Sequence, residues 1–182
     1  MNRRALLLRT GAALVGLCGT RRARAMSGPA AATAERGHPV LSVLHARPGR
    51  PASLLARMTL ADLSRLPQRE LATSLPSPFE PGGRPVWRGP LLADVLAAHG
   101  AVDPQAIRVG ALTGYAADIP DTDLQRFEPL LAWQRDGRPM SIRQRGPLIL
   151  MYPYDQYPEL GADVRYLNRM VWQVDRVVAL YR

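Results

Sequence analysis

The residues best suited to chemistry are few in this chain, and their spacing offers little of it. Three histidines, His38, His45 and His99, are scattered, and no two of them are paired at metal-ligand spacing. Cys18 is the only cysteine. The carboxylate pair Asp121 and Asp123 falls at an expected helix start, where acidic side chains serve the helix dipole more often than acid-base catalysis. There is no glycine-rich phosphate loop, no G-x-S-x-G elbow and no H-E-x-x-H. Hydrolase and metalloenzyme readings are therefore weak. Aromatic residues make up 6% of the chain and are not interleaved with arginines, so stacked bases and nucleic-acid partners are not expected.

The elements that must position any site are short. Residues 40–45 alternate as a strand, and 59–66 read as a helix capped by Thr59 and stopped by Pro67. A strand at 69–75 and a loop at 76–85 lead to the stretch V-W-R-G-P-L-L-A-D-V-L-A-A-H-G, which begins at Val86. There Pro90 suits the first helical position and Gly100 the left-handed residue after the last turn. Leu91, Leu92, Val95 and Leu96 share one helical face, and His99 suits the C-terminal dipole. Strands at 107–112 and 115–119 flank a Thr113-Gly114 turn, and Asp121 is placed to cap a helical turn over 122–126. Asp136-Gly137 between 130–135 and 138–142 signals a hairpin, since that pair tolerates the positive φ of a tight turn. Strands at 148–152 and 175–181 complete the pattern, which is α+β. Trp87, Trp133 and Trp172 read as core residues.

The charge distribution separates the N-terminus from the rest. The formal net charge is +9 over 182 residues, but six of the 24 basic residues, all arginines, precede position 26 and no carboxylate does. The remaining 18 arginines face 15 carboxylates, an ordinary surface balance. Residues 1–25 have the layout of a signal peptide: M-N-R-R, an apolar run from Ala12 to Cys18, and a small-x-small site with cleavage expected after Ala25. Arg3-Arg4-Ala5-Leu6-Leu7 also fits a twin-arginine signal, and both export routes remain open. No run approaches the ~18 apolar residues of a membrane span. The expectation is a periplasmic protein whose mature form has no thiol, with residues 26–37 as a linker and 38–182 as one domain.

Five motifs in order then carry a resemblance. W-R-G-P-L-L-A-D-V-L from Trp87, G-Y-A-A-D-I-P from Gly114, L-A-W-Q-R-D-G-R-P-M from Leu131, R-G-P-L-I-L-M-Y-P from Arg145 and V-W-Q-V-D-R-V from Val171 together resemble the molybdopterin-binding domain of the sulfite oxidase family. The resemblance spans roughly residues 58 to 182. It implies that family's fold, with mixed sheets or a barrel and short helices, and makes the stretch 86–100 a scaffold beside a cofactor cleft.

The resemblance also implies a molybdenum-binding cysteine, and the matching segment E-L-A-T-S-L-P offers Thr73 or Ser74 instead. A neutral hydroxyl is a poor ligand beside a soft thiolate. Ile149 stands where the family often has arginine, and Val171 where it often has lysine. Arg88, Tyr115, Asp118, Arg145, Tyr154 and Asp155 lie in or beside the matched motifs and, with Thr73 and Ser74, form the candidate binding set. Each also has a plain role: an ion pair, a rim, a turn or a loop. The expectation is an exported module without a metal, binding or sensing a small anion, an organic ligand or a periplasmic or membrane partner protein. The alternative is a molybdopterin-dependent periplasmic oxidoreductase that holds its cofactor without a cysteine, with Arg88 and Arg145 on the pterin or an oxyanion substrate. Whether the protein is an enzyme stays open.

Overall fold

A capping box fixes the first helix. Thr59 Oγ1 accepts from Asp62 N at 3.1 Å, and Asp62 Oδ2 accepts from Thr59 N at 2.9 Å. These bonds satisfy two amides that have no helical partner in α1, Leu60–Arg65, and Pro67 follows its end as expected. The computed structural model describes residues 37–77, 79 and 83–182. The expectations of a signal peptide, a twin-arginine motif and a linker fall on residues outside this set, apart from Gly37 at the linker's end.

The largest sheet has five strands: β1 Leu41–Ala46, β2 Ser53–Met58, β5 Ala106–Ala111, β6 Ala116–Pro120 and β11 Val174–Leu180. Their order is β2-β1-β11-β5-β6, with β1 and β11 parallel and the other pairs antiparallel. Leu41 and Val43 on β1, Ile107 and Val109 on β5, and Val177 and Ala179 on β11 are buried. This is the alternation of a sheet with one face on the core. Strand β2 has no such pattern, because Leu54 and Leu55 are exposed on an edge strand, and periodicity does not reveal it.

Two smaller sheets sit beside it. One pairs β7 Leu130–Ala132 with β10 Ile149–Met151, and the other runs β3-β4-β8-β9, comprising Arg69–Ala72, Val86–Gly89, Gln134–Arg135 and Arg138–Pro139. The expected hairpin at Asp136-Gly137 forms with φ of 51° and 74°. Of the expected mixed sheets or barrel, the mixed sheets form, and the described strands close no barrel. The described strands divide into three sheets, and residues 171–174 run along β10 before entering β11, with Leu150 N donating to Val171 O and Val174 N to Leu148 O, both at 2.9 Å.

Helix α2, Leu92–Ala97, starts two residues after Pro90 and buries Leu92, Val95 and Leu96 as the pattern requires. Gly100 takes φ of 72°, and His99 Nδ1 lies 2.9 Å from Val95 O at the carbonyl end of the helix. Helix α3, Asp121–Phe127, contains Asp121 instead of being capped by it; the carboxylate accepts from Gln125 one turn on. Helices α4, Pro158–Ala162, and α5, Val164–Arg169, were not visible to periodicity, being too short to show a stripe. Among the described residues no helix is long and apolar enough to cross a membrane.

Gly89 in the W-R-G-P motif has a steric reason. A Cβ there would overlap the Leu131 carbonyl oxygen and approach the Ala132 Cα to 2.8 Å. Gly89→Ala should therefore lower unfolding free energy by at least about 2 kcal/mol, because the obstruction is backbone that cannot step aside. Chemical denaturation of the two proteins measures the difference.

Candidate functional site

Three of the eight candidate residues converge at one place. Thr73 follows β3, is fully buried, and uses its backbone and hydroxyl oxygen together. Its N–H donates to Pro85 O at 3.2 Å, its carbonyl accepts from Trp87 Nε1 at 3.0 Å, and its Oγ1 accepts from Asp155 N at 3.1 Å. Ser74 N donates to Asp155 Oδ2 at 3.1 Å, and Ser74 Oγ donates to Asp155 Oδ1 in a short hydrogen bond. Arg84 Nε lies 2.8 Å from Asp155 Oδ2. Burial raises the Asp155 pKa, but the bonds from Ser74 and the Arg84 guanidinium outweigh it and hold the carboxyl below the usual range.

Tyr154 packs beside this latch, buried, with its hydroxyl donating to Tyr166 O at 3.2 Å. Burial pushes its phenol well above the ordinary value.

Tyr115 and Arg145 belong to a second place. A cleft of about 250 Å³ opens among Phe79, Tyr115, Met170 and Trp172, with Thr113, Asn168 and Gln173 completing its described lining. Tyr115 OH donates to Asn168 O at 2.6 Å. The Arg145 guanidinium lies 4.5 Å from the centre of the Trp172 ring and donates to Phe79 O at 2.8 Å. Phe79 meets the same indole edge-on at 5.1 Å. Trp172 Nε1 is buried, and among the described residues it has no hydrogen-bond partner.

Arg88 and Asp118 join neither place. Arg88 is on the exposed face of β4, in register with Glu70 and Gln134. Asp118 is exposed on β6 and chelated by Arg108 across the hairpin, with Nε to Oδ1 at 2.7 Å and Nη2 to Oδ2 at 2.8 Å. That guanidinium holds Asp118 below the usual carboxylate range despite the opposing effect of burial.

Asp123 stands in the first turn of α3 as expected, but its burial and its partners were not legible in the sequence. It is 3% exposed and accepts from Tyr152 OH at 2.8 Å and from Arg169 Nη1 at 2.9 Å. Burial, reinforced by the Asp123 carboxylate, pushes the Tyr152 phenol upward, so it remains a donor. Arg169 also lies over the Tyr166 ring at 5.1 Å. The partners are 29 and 46 residues away, and no local spacing signals them.

The resemblance implies a molybdenum cofactor, and the donor set does not fit a metal held by this chain. The hydroxyl oxygens at the expected ligand position are committed to Asp155, and Thr73 is enclosed. Among the described residues no three His, Cys, Asp or Glu side chains come together in a metal-binding group.

No family model matches the sequence, and no curated protein does. Among solved structures, the chain is similar to the sulfane dehydrogenase SoxCD from Paracoccus pantotrophus, with a TM-score of 0.52 and 14% identity over 78% of this chain. The chain shares its fold with an oxidoreductase. It spans 38% of that protein's length, and at this identity the likeness is one of fold.

Two outcomes check the electrostatics. Because Asp155 titrates lower in the folded state than unfolded, its stabilisation is present above the unfolded value and lost as pH falls through the folded one. Asp155→Asn should cost about 1 kcal/mol near neutrality, and melting curves should show that deficit shrinking as pH falls below about 5, through the ordinary carboxylate value and on toward the lower folded one. Arg169→Met should cost about 3 kcal/mol in a urea melt, because it strips the cation from a buried carboxylate.

Proposed function

We propose that this protein is an exported binding module that takes a small ligand in the cleft beside Trp172 and carries out no molybdenum chemistry. The observation that carries this reading is the state of Thr73 and Ser74. A metal ligand must present a free lone pair to an accessible space, whereas these hydroxyls close a latch between two loops and Thr73 has no exposed surface. The cleft is separate in composition: three aromatic rings and a methionine supply apolar area, and Thr113, Asn168 and Gln173 supply a few polar groups. Small-molecule sites combine these features. Export rests on the signal-like layout of residues 1–25.

A second reading has its own support. The fold shared with a sulfane dehydrogenase, and the five motifs resembling the sulfite oxidase family, favour an oxidoreductase that holds molybdopterin by pterin contacts alone. Arg145 is then the best-placed cation of the candidate set, although its guanidinium already meets Trp172 and the Phe79 carbonyl.

Metal analysis separates the two. Protein exported from a molybdenum-replete host should contain molybdenum far below one atom per chain by mass spectrometry, and no pterin fluorescence after oxidation. Near-stoichiometric molybdenum, with turnover lost on its removal, would overturn the binding-module reading and establish the oxidoreductase. A partner protein that copurifies stoichiometrically, with the cleft indifferent to small molecules, would overturn the small-ligand half.

A further inference from the structure

We infer that the Trp172 cleft selects a flat, uncharged aromatic molecule of one or two fused rings carrying a hydrogen-bond acceptor on its edge, and discriminates against oxyanions. This inference rests on the binding-module reading and names the ligand class for that site.

The walls argue for a ring. Phe79, Tyr115 and Trp172 present aromatic surface and Met170 a polarisable thioether, all suited to packing against a π-system. The volume of about 250 Å³ falls below the ~300–1,000 Å³ of pockets for drug-sized ligands, which sets the size at a small ring system.

The polar groups argue for neutrality and for an acceptor. Among the described residues no charged side chain lines the cleft. The nearby cation, Arg145, has its guanidinium against the indole and bonded to a carbonyl, which leaves an oxyanion without a dedicated charged partner in the lining. Tyr115 OH and Gln173 Nε2 donate to Asn168 O and Ile142 O. Trp172 Nε1 is different: it is a buried donor with nothing to donate to. Such a group is destabilising until an acceptor reaches it. A carbonyl oxygen or ring nitrogen brought against the indole edge, with a small rotation of that ring, relieves the deficit while the ligand's face packs on the aromatic wall. The other two indoles need no such relief, because Trp87 donates to Thr73 O and Trp133 to Gln68 Oε1 at 2.9 Å.

This difference supplies the test. The full chain, labelled with ¹⁵N, gives one indole N–H signal for each of its 3 tryptophans. Isoquinolin-1-one, naphthalene and sodium sulfate are titrated separately, and metal content is measured on the same sample. Isoquinolin-1-one is expected to move the Trp172 indole proton downfield and saturate, leaving the Trp87 and Trp133 signals in place. Naphthalene, which lacks the acceptor, should bind at least about tenfold more weakly, as should isoquinolin-1-one to Tyr115→Ala. Tyr115→Phe, which keeps the ring, should retain most of the affinity. A Trp172 signal that follows sulfate and ignores isoquinolin-1-one overturns the ligand class. Three dispersed indole signals unmoved by any probe in metal-free protein overturn the site. Stoichiometric molybdenum in that sample instead overturns the reading on which the inference rests.

Discussion

One carboxylate, Asp155, holds together two loops that are some eighty residues apart in sequence. Its oxygens take the backbone and hydroxyl of Ser74 and the guanidinium of Arg84, while its own amide donates to Thr73. Every bond in this set ties the segment between β3 and β4 to the segment after β10. The segment between β3 and β4 also contributes Phe79 to the wall of the cleft, so the latch holds the start of a segment that lines it. Thr73 shows how far the structural commitment goes, since its amide, carbonyl and hydroxyl oxygen each have a protein partner. A residue so fully used is a strut, and its chemistry is spent before any ligand arrives.

Helix α5 is the second support, and tyrosines hold it from different directions. Tyr154 reaches the Tyr166 carbonyl and Tyr115 the Asn168 carbonyl, near the C-terminal end of the helix where carbonyls have no helical partners. Arg169 at the same end pins it inward to Asp123, which Tyr152 completes. Phe127, Tyr152, Tyr157 and Tyr166 pack edge-on or tilted around this ion pair, with centroid separations of 5.1 to 6.3 Å. Because the charges are screened from water by rings, removing either partner leaves the other exposed to a poor solvent. The cleft wall formed by Asn168 and Met170 therefore hangs from a buried network, although the wall itself is at the surface.

The fold was legible where local chemistry determines local shape. Thr59 announced a capped helix, Asp136-Gly137 a tight hairpin, and Leu92, Val95 and Leu96 a buried face, because each signal involves neighbours within a few residues. Strand β2 was not legible, since its exposed leucines at an edge obey no alternation. Nor was the division into three sheets, which rests on pairings between segments distant in sequence. At the site, nearness to motifs located Thr73, Ser74 and Asp155, but their mutual bonding is a tertiary fact. The Asp123 network escaped for the same reason: an acidic residue in a first helical turn looks like a partner for the dipole until distant Tyr152 and Arg169 are seen beside it.

The composition of the basic residues explains the character of the cleft. The chain contains no lysine, and its cations are planar guanidiniums, which stack on rings as readily as they pair with carboxylates. Arg126 lies over Phe127 at 4.8 Å, Arg135 over Trp87 at 5.2 Å, Arg145 over Trp172 at 4.5 Å and Arg169 over Tyr166 at 5.1 Å. A strongly hydrated ammonium in these positions would project toward water and carry its charge to the rim. A stacked guanidinium instead lies flat on the aromatic surface. At Trp172 this geometry sets Arg145 against the indole, while the described lining of the cleft carries no charge. Arginine stacking at Trp172 thus goes together with an apolar wall, beside an indole N–H that has no acceptor among the described residues.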